Sequence, residues 1–153
     1  MTCAVLCIDL GTQMGWAIDT GPVFPIASGT VSFASRRFEG GGMRFFRFRQ
    51  WLQELRLGTT FKAVYFEEVH RHIGTDAAHI YGGLLGILTS WCEEHKIPYQ
   101  GIGVGTIKKH ATGRGNAGKP EMIAAMVAKG HVPKDDNEAD ALALAYCARD
   151  GVL

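Results

Sequence analysis

The chain has 153 residues, 46% of them hydrophobic, 20% charged and 20 of them glycine. That suits one domain with its own core, residues 1–153, and is too short for two full-sized ones. A formal net charge of +1 excludes a histone-like basic polyelectrolyte. It leaves room for an enzyme of nucleic acids, because opposite charges can be segregated on one surface. The glycines, about twice the usual ~7%, have no period, and the apolar and aromatic content excludes disorder. No stretch reaches the ~18 apolar residues of a membrane span, so no membrane partner is expected. The opening MTCAVLCIDLGT lacks the basic start of a secretory leader. Cys3, Cys7, Cys92 and Cys147 fit neither a zinc knuckle nor a CxxC redox site and are expected as free thiols, which points to the cytoplasm.

In chain order, Ala4–Ile8 is a short apolar run that ends at Asp9 and predicts a buried strand. Leu10, Gly11 and Thr12 make a turn into a second strand over 15–18, and residues 23–33 supply β-branched and aromatic residues for a third. After Gly40–Gly42, a helix to about Leu57 turns Phe45, Phe48, Leu52 and Leu55 to the core, with Arg44 and Arg47 off that face. Phe46 is expected in the core with its neighbours. Lys62–Phe66 predicts a fourth strand ending at Glu67 and Glu68. A long helix follows over 76–95, in which Gly82, Gly83 and Gly86 permit close packing at some cost in helix stability. Pro98–Gly103 is a short fifth strand, and a helical turn over 106–110 leads into the loop 113–119. Pro120 opens a helix to Lys129, and a last helix runs from Asp135 or Asp136 to about Arg149. This order predicts an α/β domain, a mixed sheet with helices on its faces.

Three acids share one kind of position. Asp9 and Glu67 end apolar strands, and Asp140 precedes the run Ala-Leu-Ala-Leu-Ala on a helix. An acid beside a buried run faces a large desolvation cost unless it is paired or holds a cation. No lysine or arginine adjoins any of the three in sequence. Carboxylates brought together repel, and a divalent ion such as Mg²⁺ or Mn²⁺ relieves that repulsion. Asp9 alone also fits a turn former, and Asp140 a first-turn acid favoured by the helix dipole. Asp135 and Glu138 have the spacing of a helix cap.

Ile8-Asp9-Leu10-Gly11-Thr12, Phe66-Glu67-Glu68-Val69 and Asn137-Glu138-Ala139-Asp140-Ala141-Leu142-Ala143 resemble, in order and spacing, the RuvC family of Holliday junction resolvases. The resemblance spans nearly the whole chain. It implies an RNase H-like mixed five-stranded sheet with helices on both faces, a homodimer, and a nuclease that cuts branched DNA. It also implies Asp9, Glu67 and Asp140 as metal ligands, with two Mg²⁺ ions per subunit and Mn²⁺ able to substitute. Two such ions activate a water and stabilise the leaving 3′ oxygen of an in-line displacement. Lys108 and Lys119, eleven residues apart around a glycine-rich loop, look like the family's two active-site lysines.

The family places an acid or a histidine three residues before the last aspartate, where this chain has Asn137. Asp136, four residues before it, shares a helix face with Asp140 and is our candidate for the fourth ligand. Strand alternation sends Glu67 and Glu68 to opposite faces, so at most one enters the site. Basic residues cluster twice: Arg36, Arg37, Arg44, Arg47 and Arg49 within fourteen residues, and Lys108, Lys109, Arg114 and Lys119 within twelve. A charge run is usually a solvated face. Within the resembled fold Arg44, Arg47, Lys109 and Arg114 are candidate phosphate contacts. His70 and His72 join them, His70 standing where the family often has an aromatic that stacks on an unpaired base.

Gly113–Lys119 fits G-x4-G-K, but Pro120 replaces the Ser or Thr of a nucleotide loop and no strand precedes it, so no nucleotide cofactor is expected. Asp9-Leu-Gly-Thr is shared with actin- and Hsp70-like ATPases, which need two such domains and are excluded by length. The expectation is therefore an Mg²⁺-dependent endonuclease resolving four-way or related branched DNA by symmetric nicking, in a bacterial cell or a phage-infected host. The glycine-bearing helix after Glu67 is its expected dimer contact. The rivals are an RNA-processing nuclease of the same fold, whose Asp-Glu-Arg-Leu type of motif is missing here, and a junction-binding protein that has lost catalysis, which Asn137 motivates.

Overall fold

A computed structural model describes residues 2–152. Five strands, β1 (Thr2–Asp9), β2 (Gln13–Asp19), β3 (Ala27–Ser32), β4 (Thr59–Glu68) and β5 (Tyr99–Gly103), form one sheet in the order β3-β2-β1-β4-β5. The first three run antiparallel, and β1, β4 and β5 run parallel. The helices are α1 (Gly42–Gly58), α2 (Thr75–Glu94), α3 (Val104–Thr112), α4 (Lys119–Ala128) and α5 (Asp136–Arg149). The chain thus has the mixed five-stranded sheet with helices on both faces that its element order predicts.

β1 is apolar on both sides because both are covered. Ala4, Leu6 and Ile8 meet Phe48 and Leu52 of α1 and Leu84, Leu88 and Trp91 of α2 in one core. Cys7 turns the other way into a second core made with α3, α4 and the Ala141–Ala145 run of α5. Such a run buries α5 on nearly every side, and its small residues let the helix lie close to the sheet. At Gly15 of β2 the approach is closest: a Cβ there would stand 1.9 Å from the Asn137 carbonyl oxygen. Gly15 is therefore required by contact, not by its backbone angles.

The structure adjusts several sequence expectations. The third strand is shorter than 23–33, because Val23 and Phe24 lie exposed in the turn before it. The helical turn over 106–110 is a full helix, α3, which ends at Gly113 in the left-handed conformation that glycine tolerates best. Phe46 is not a core residue. It stands one residue, about 100° of helix, round from Phe45 and is 54% exposed. Of the α2 glycines, Gly83 receives the Phe45 ring of α1, whereas Gly82 and Gly86 have open space before them.

Candidate metal centre

The register of the parallel pair creates the site. β1 and β4 are aligned with Ile8 opposite Phe66, so Asp9 and Glu67 are next in line on neighbouring strands and share a face. A bulge sets this register: Ala4 lies opposite Phe61 but Val5 opposite Ala63, so Lys62 is the extra residue. α5 crosses the same face and brings Asp140 over the strand ends. One carboxylate oxygen from each of Asp9, Glu67 and Asp140 lies within 4.8 Å of the others. Glu68 points the other way, exposed, with His70 3.8 Å away.

The electrostatics are those of a site short of positive charge. Burial, then the charges of Glu67 and Asp140 and a hydrogen bond with Glu67, hold the Asp9 carboxyl well above the ordinary carboxylate range. Asp140 is pushed up to about 7 by burial, Glu67 and Asp136, against the pull of Lys108 and Lys119. Three close carboxylates, of which Asp9 and Asp140 are pushed up by burial and their acidic neighbours, offer only oxygen donors and fit a hard divalent cation such as Mg²⁺.

Asp136 stands one helical turn before Asp140, outside this close group, with its carboxylate 3.3 Å from Lys119 Nζ. Lys119 opens α4 and its side chain is 79% exposed, so a phosphate can compete with Asp136 for its ammonium. Lys108, on α3, is half-buried.

A set of bonds, most of them to residues distant in sequence, fixes α5. Asp135 caps the helix by accepting from the Glu138 amide at 2.9 Å and also accepts from Thr30 Oγ1 of β3 at 2.7 Å. Glu138, buried, accepts from Ser28 Oγ at 2.8 Å and from the Lys134 amide at 2.7 Å. At the other end Arg149 donates two hydrogen bonds to Asp19, at 2.6 and 3.0 Å, and reaches the carbonyls of Gly21 and Phe24. The Asp135–Glu138 cap is legible in sequence, but its β3 partners lie more than 100 residues away. Tyr81 of α2 does the same for β4, donating to the Glu67 carbonyl at 2.9 Å and accepting from the Val69 amide at 3.1 Å.

No protein-family model and no curated protein matches the sequence. Solved structures do. Thermus thermophilus RuvC in complex with a Holliday junction substrate superposes with a TM-score of 0.79 at 24% identity, over 97% of this chain and 96% of that one. This chain has the RuvC fold. A second Thermus thermophilus RuvC structure gives 0.74 at the same identity and coverage. The yeast mitochondrial Holliday junction resolvase gives 0.65 at 13% identity, over 94% of this chain and 76% of that one. The shared architecture is the RNase H-like sheet; in this chain the acidic group lies at the carboxyl ends of β1 and β4.

On this RuvC-like frame the candidate DNA contacts differ in how free they are. Arg47 is tied to Glu39, whose carboxyl it holds down at about 2, and Arg114 is paired with Glu121 at 2.7 Å. Arg44 is half-buried, with its Nε enclosed. Lys109 is exposed, and the His70 side chain is 78% exposed. His72 packs on Tyr81, ring centroids 4.9 Å apart.

Proposed function

We propose that the protein is a metal-dependent endonuclease that resolves Holliday junctions or related branched DNA by paired, symmetric nicking as a homodimer. The observation that carries this is the carboxylate group of Asp9, Glu67 and Asp140, set at the strand ends of a fold shared with a RuvC solved on a junction substrate. Asp9, Glu67 and Asp140, with Asp136 beside them, would hold two Mg²⁺ ions, for which Mn²⁺ can substitute. Such ions supply an activated water and stabilise charge on a leaving oxygen.

The chain's own residues orient and neutralise. Lys119, released from Asp136, and Lys108 meet the non-bridging oxygens of the scissile phosphate. They offset the charge that builds there as the water oxygen bonds to phosphorus and the bond to the 3′ oxygen breaks. The leaving 3′ oxygen gains a proton in exchange for the one the water loses, so the products are a 3′ hydroxyl and a 5′ phosphate. Arg44, Arg47, Lys109 and Arg114 would serve as phosphate contacts, Arg47 and Arg114 by exchanging a carboxylate partner for phosphate. His70 and His72 lie on the loop after β4, on the approach for an unpaired strand.

A two-fold dimer matches a four-way junction, one nick per subunit. The outer side of α2, where Gly82 and Gly86 are open, is the surface we assign to that contact. Among the described residues no helix is long and apolar enough to cross a membrane, and all four cysteines are free thiols, which suits a reducing bacterial or phage-infected cytoplasm.

The test is cleavage of a synthetic four-way junction, a duplex and a structured RNA with Mg²⁺ or Mn²⁺. Paired nicks in the junction are expected. A junction bound but never nicked points to the inactive binder, and preferential cutting of RNA points to the processing nuclease. Either result overturns the proposal.

A further inference from the structure

One residue between β3 and α1 is unfavourable to folding in two ways. Phe38 is 94% exposed, and its φ of 70° lies in the left-handed region that glycine alone enters without strain. Gly40, Gly41 and Gly42 follow closely, yet none of them takes that conformation. The turn that holds Phe38 is braced on both sides. The Glu39 amide donates to the Arg36 carbonyl at 3.1 Å, and the Arg36 amide donates to the Glu39 carboxylate at 2.5 Å. Arg47 of α1 donates to the same carboxylate. Before the turn, Phe33 packs on Phe48 and Trp51, ring centroids 5.5 and 5.9 Å away. A fixed turn therefore presents a bare aromatic at its tip. The Arg37 guanidinium lies 4.9 Å from the Phe38 ring centroid, over one face, and the other face is open.

The turn leaves the sheet at the end where the carboxylates lie. Ser32 closes β3 opposite Gln13, and the Phe33 amide donates to the carbonyl of Thr12, at 2.8 Å, on the turn that follows Asp9. We propose that the Arg36–Glu39 turn is a wedge for duplex DNA, in which Phe38 enters a base step of the arm from the minor groove. The proposal rests on the nuclease function given above, but concerns paired DNA away from the nick. β3 stands two strands from β1, about 10 Å across the sheet. At ~3.4 Å per base pair, the wedged step lies roughly three or more base pairs from the scissile phosphate. Proteins that kink DNA from the minor groove insert apolar side chains such as Phe, and arginine is drawn to the negative potential there. Exposed Arg36 and Arg37 precede Phe38, and the charge of Glu39 is met by Arg47. An apolar protein groove would bury both arginines without partners, whereas a duplex supplies phosphates beside its stacked bases.

The wedge is compatible with Arg47 as a phosphate contact. When Arg47 moves to phosphate, the two bonds between Arg36 and Glu39 remain, so the turn keeps its shape. Opening a base step bends the duplex toward the major groove. Phe38 thus acts on cleavage through the path of the arm, as a positioning residue.

The experiment places 2-aminopurine at successive positions along an arm of a synthetic four-way junction. Emission is read as the full chain binds without divalent ions, so that no strand is cut. An increase is expected at one or two adjacent positions, about three or more base pairs from the nick. Phe38→Gly should abolish it and weaken junction binding about ten-fold, the worth of one stacked base, whereas Phe38→Leu, still an apolar wedge, keeps most of both. Because glycine accepts the left-handed backbone, Phe38→Gly is expected to melt at or above the wild-type temperature. A uniform response along the arm overturns the wedge, and so does a local response that survives in Phe38→Gly. A Phe38→Gly protein that melts well below the wild type makes the ring structural and overturns it too. Nicking with Mg²⁺ separates the two readings. A junction nicked normally without an arm response defeats the wedge alone, and a local arm response on a junction that is never nicked defeats the nuclease reading alone. A chain that binds no junction overturns both.

Discussion

Thr30 on β3 donates a 2.7 Å hydrogen bond to the carboxylate of Asp135, the residue that caps α5. With Ser28 donating to Glu138 one turn further on, the helix that carries Asp136 and Asp140 is attached by its first turn to the edge of the sheet. The carboxylates from β1 and β4 are placed by strand register, whereas Asp140 is carried on the helix that these bonds attach. Glu138→Ala leaves the Ser28 hydroxyl and the Lys134 amide without their acceptor. A loss of roughly 1–3 kcal/mol is expected, measured by denaturant unfolding. If the attachment also positions Asp140, the Mg²⁺ concentration for half-maximal cleavage rises several-fold in Glu138→Ala. A stability loss with unchanged Mg²⁺ dependence assigns Glu138 to folding alone.

The raised Asp140 carboxyl makes stability depend on pH in a definite direction. In the folded chain it keeps its proton to about 7, whereas unfolded it ionises near the ordinary value of 3.8. Between those values the folded state binds more protons, so stability falls as pH rises. Without divalent ions, thermal unfolding is expected to move to lower temperature from pH 5 to pH 8. Mg²⁺ should reverse that trend, because an ion on the carboxylates favours their ionised form. A melting temperature that rises over this range without divalent ions contradicts the assignment.

Asp9→Asn removes one charge from the centre of the repelling group. The variant should be more stable than the wild type in the absence of metal, by about 1 kcal/mol or more, while losing cleavage and keeping junction binding. Calorimetry and a gel shift measure the two sides. Loss of junction binding makes Asp9 a structural residue.

Asp136 and Asn137 are separated by their partners. Asp136 faces Lys119 one turn from Asp140, and Asn137 presses its backbone carbonyl on Gly15. Asp136→Asn is expected to lower Mg²⁺-dependent cleavage at least about ten-fold, the effect of losing one ligand-site contact, while Asn137→Ala leaves it near wild type. Normal cleavage by Asp136→Asn beside an inactive Asn137→Ala transfers the fourth position to Asn137.

Gly86 has open space where a Cβ would stand, so a longer side chain fits the monomer. Gly86→Lys should stabilise α2 by up to about 1 kcal/mol. If the outer side of α2 is the dimer contact, the same change gives a monomer in sedimentation, with single nicks in place of paired ones. A dimer that survives the lysine places the contact elsewhere.

What the sequence determined by itself was local. Apolar runs ending in Asp9 and Glu67, a small-residue helix led by Asp140, and the Asp135–Glu138 cap are all written in consecutive residues, because strand and helix periodicity and capping act over a few positions. The element order, and with it the sheet of mixed direction, follows from them. Tertiary structure decided what depends on residues far apart. The Lys62 bulge brings Asp9 level with Glu67, and Ser28 and Thr30 receive α5. Tyr81 ties α2 to the end of β4, and Arg149 is paired with Asp19. Phe46 left the core for the same reason, since which side of α1 meets α2 is settled by the Phe45–Gly83 contact between helices, which no local pattern records. The carboxylates are a property of the sequence; their meeting within 4.8 Å is a property of the fold, because like charges from distant parts of the chain are brought together only by the packing of the elements that carry them.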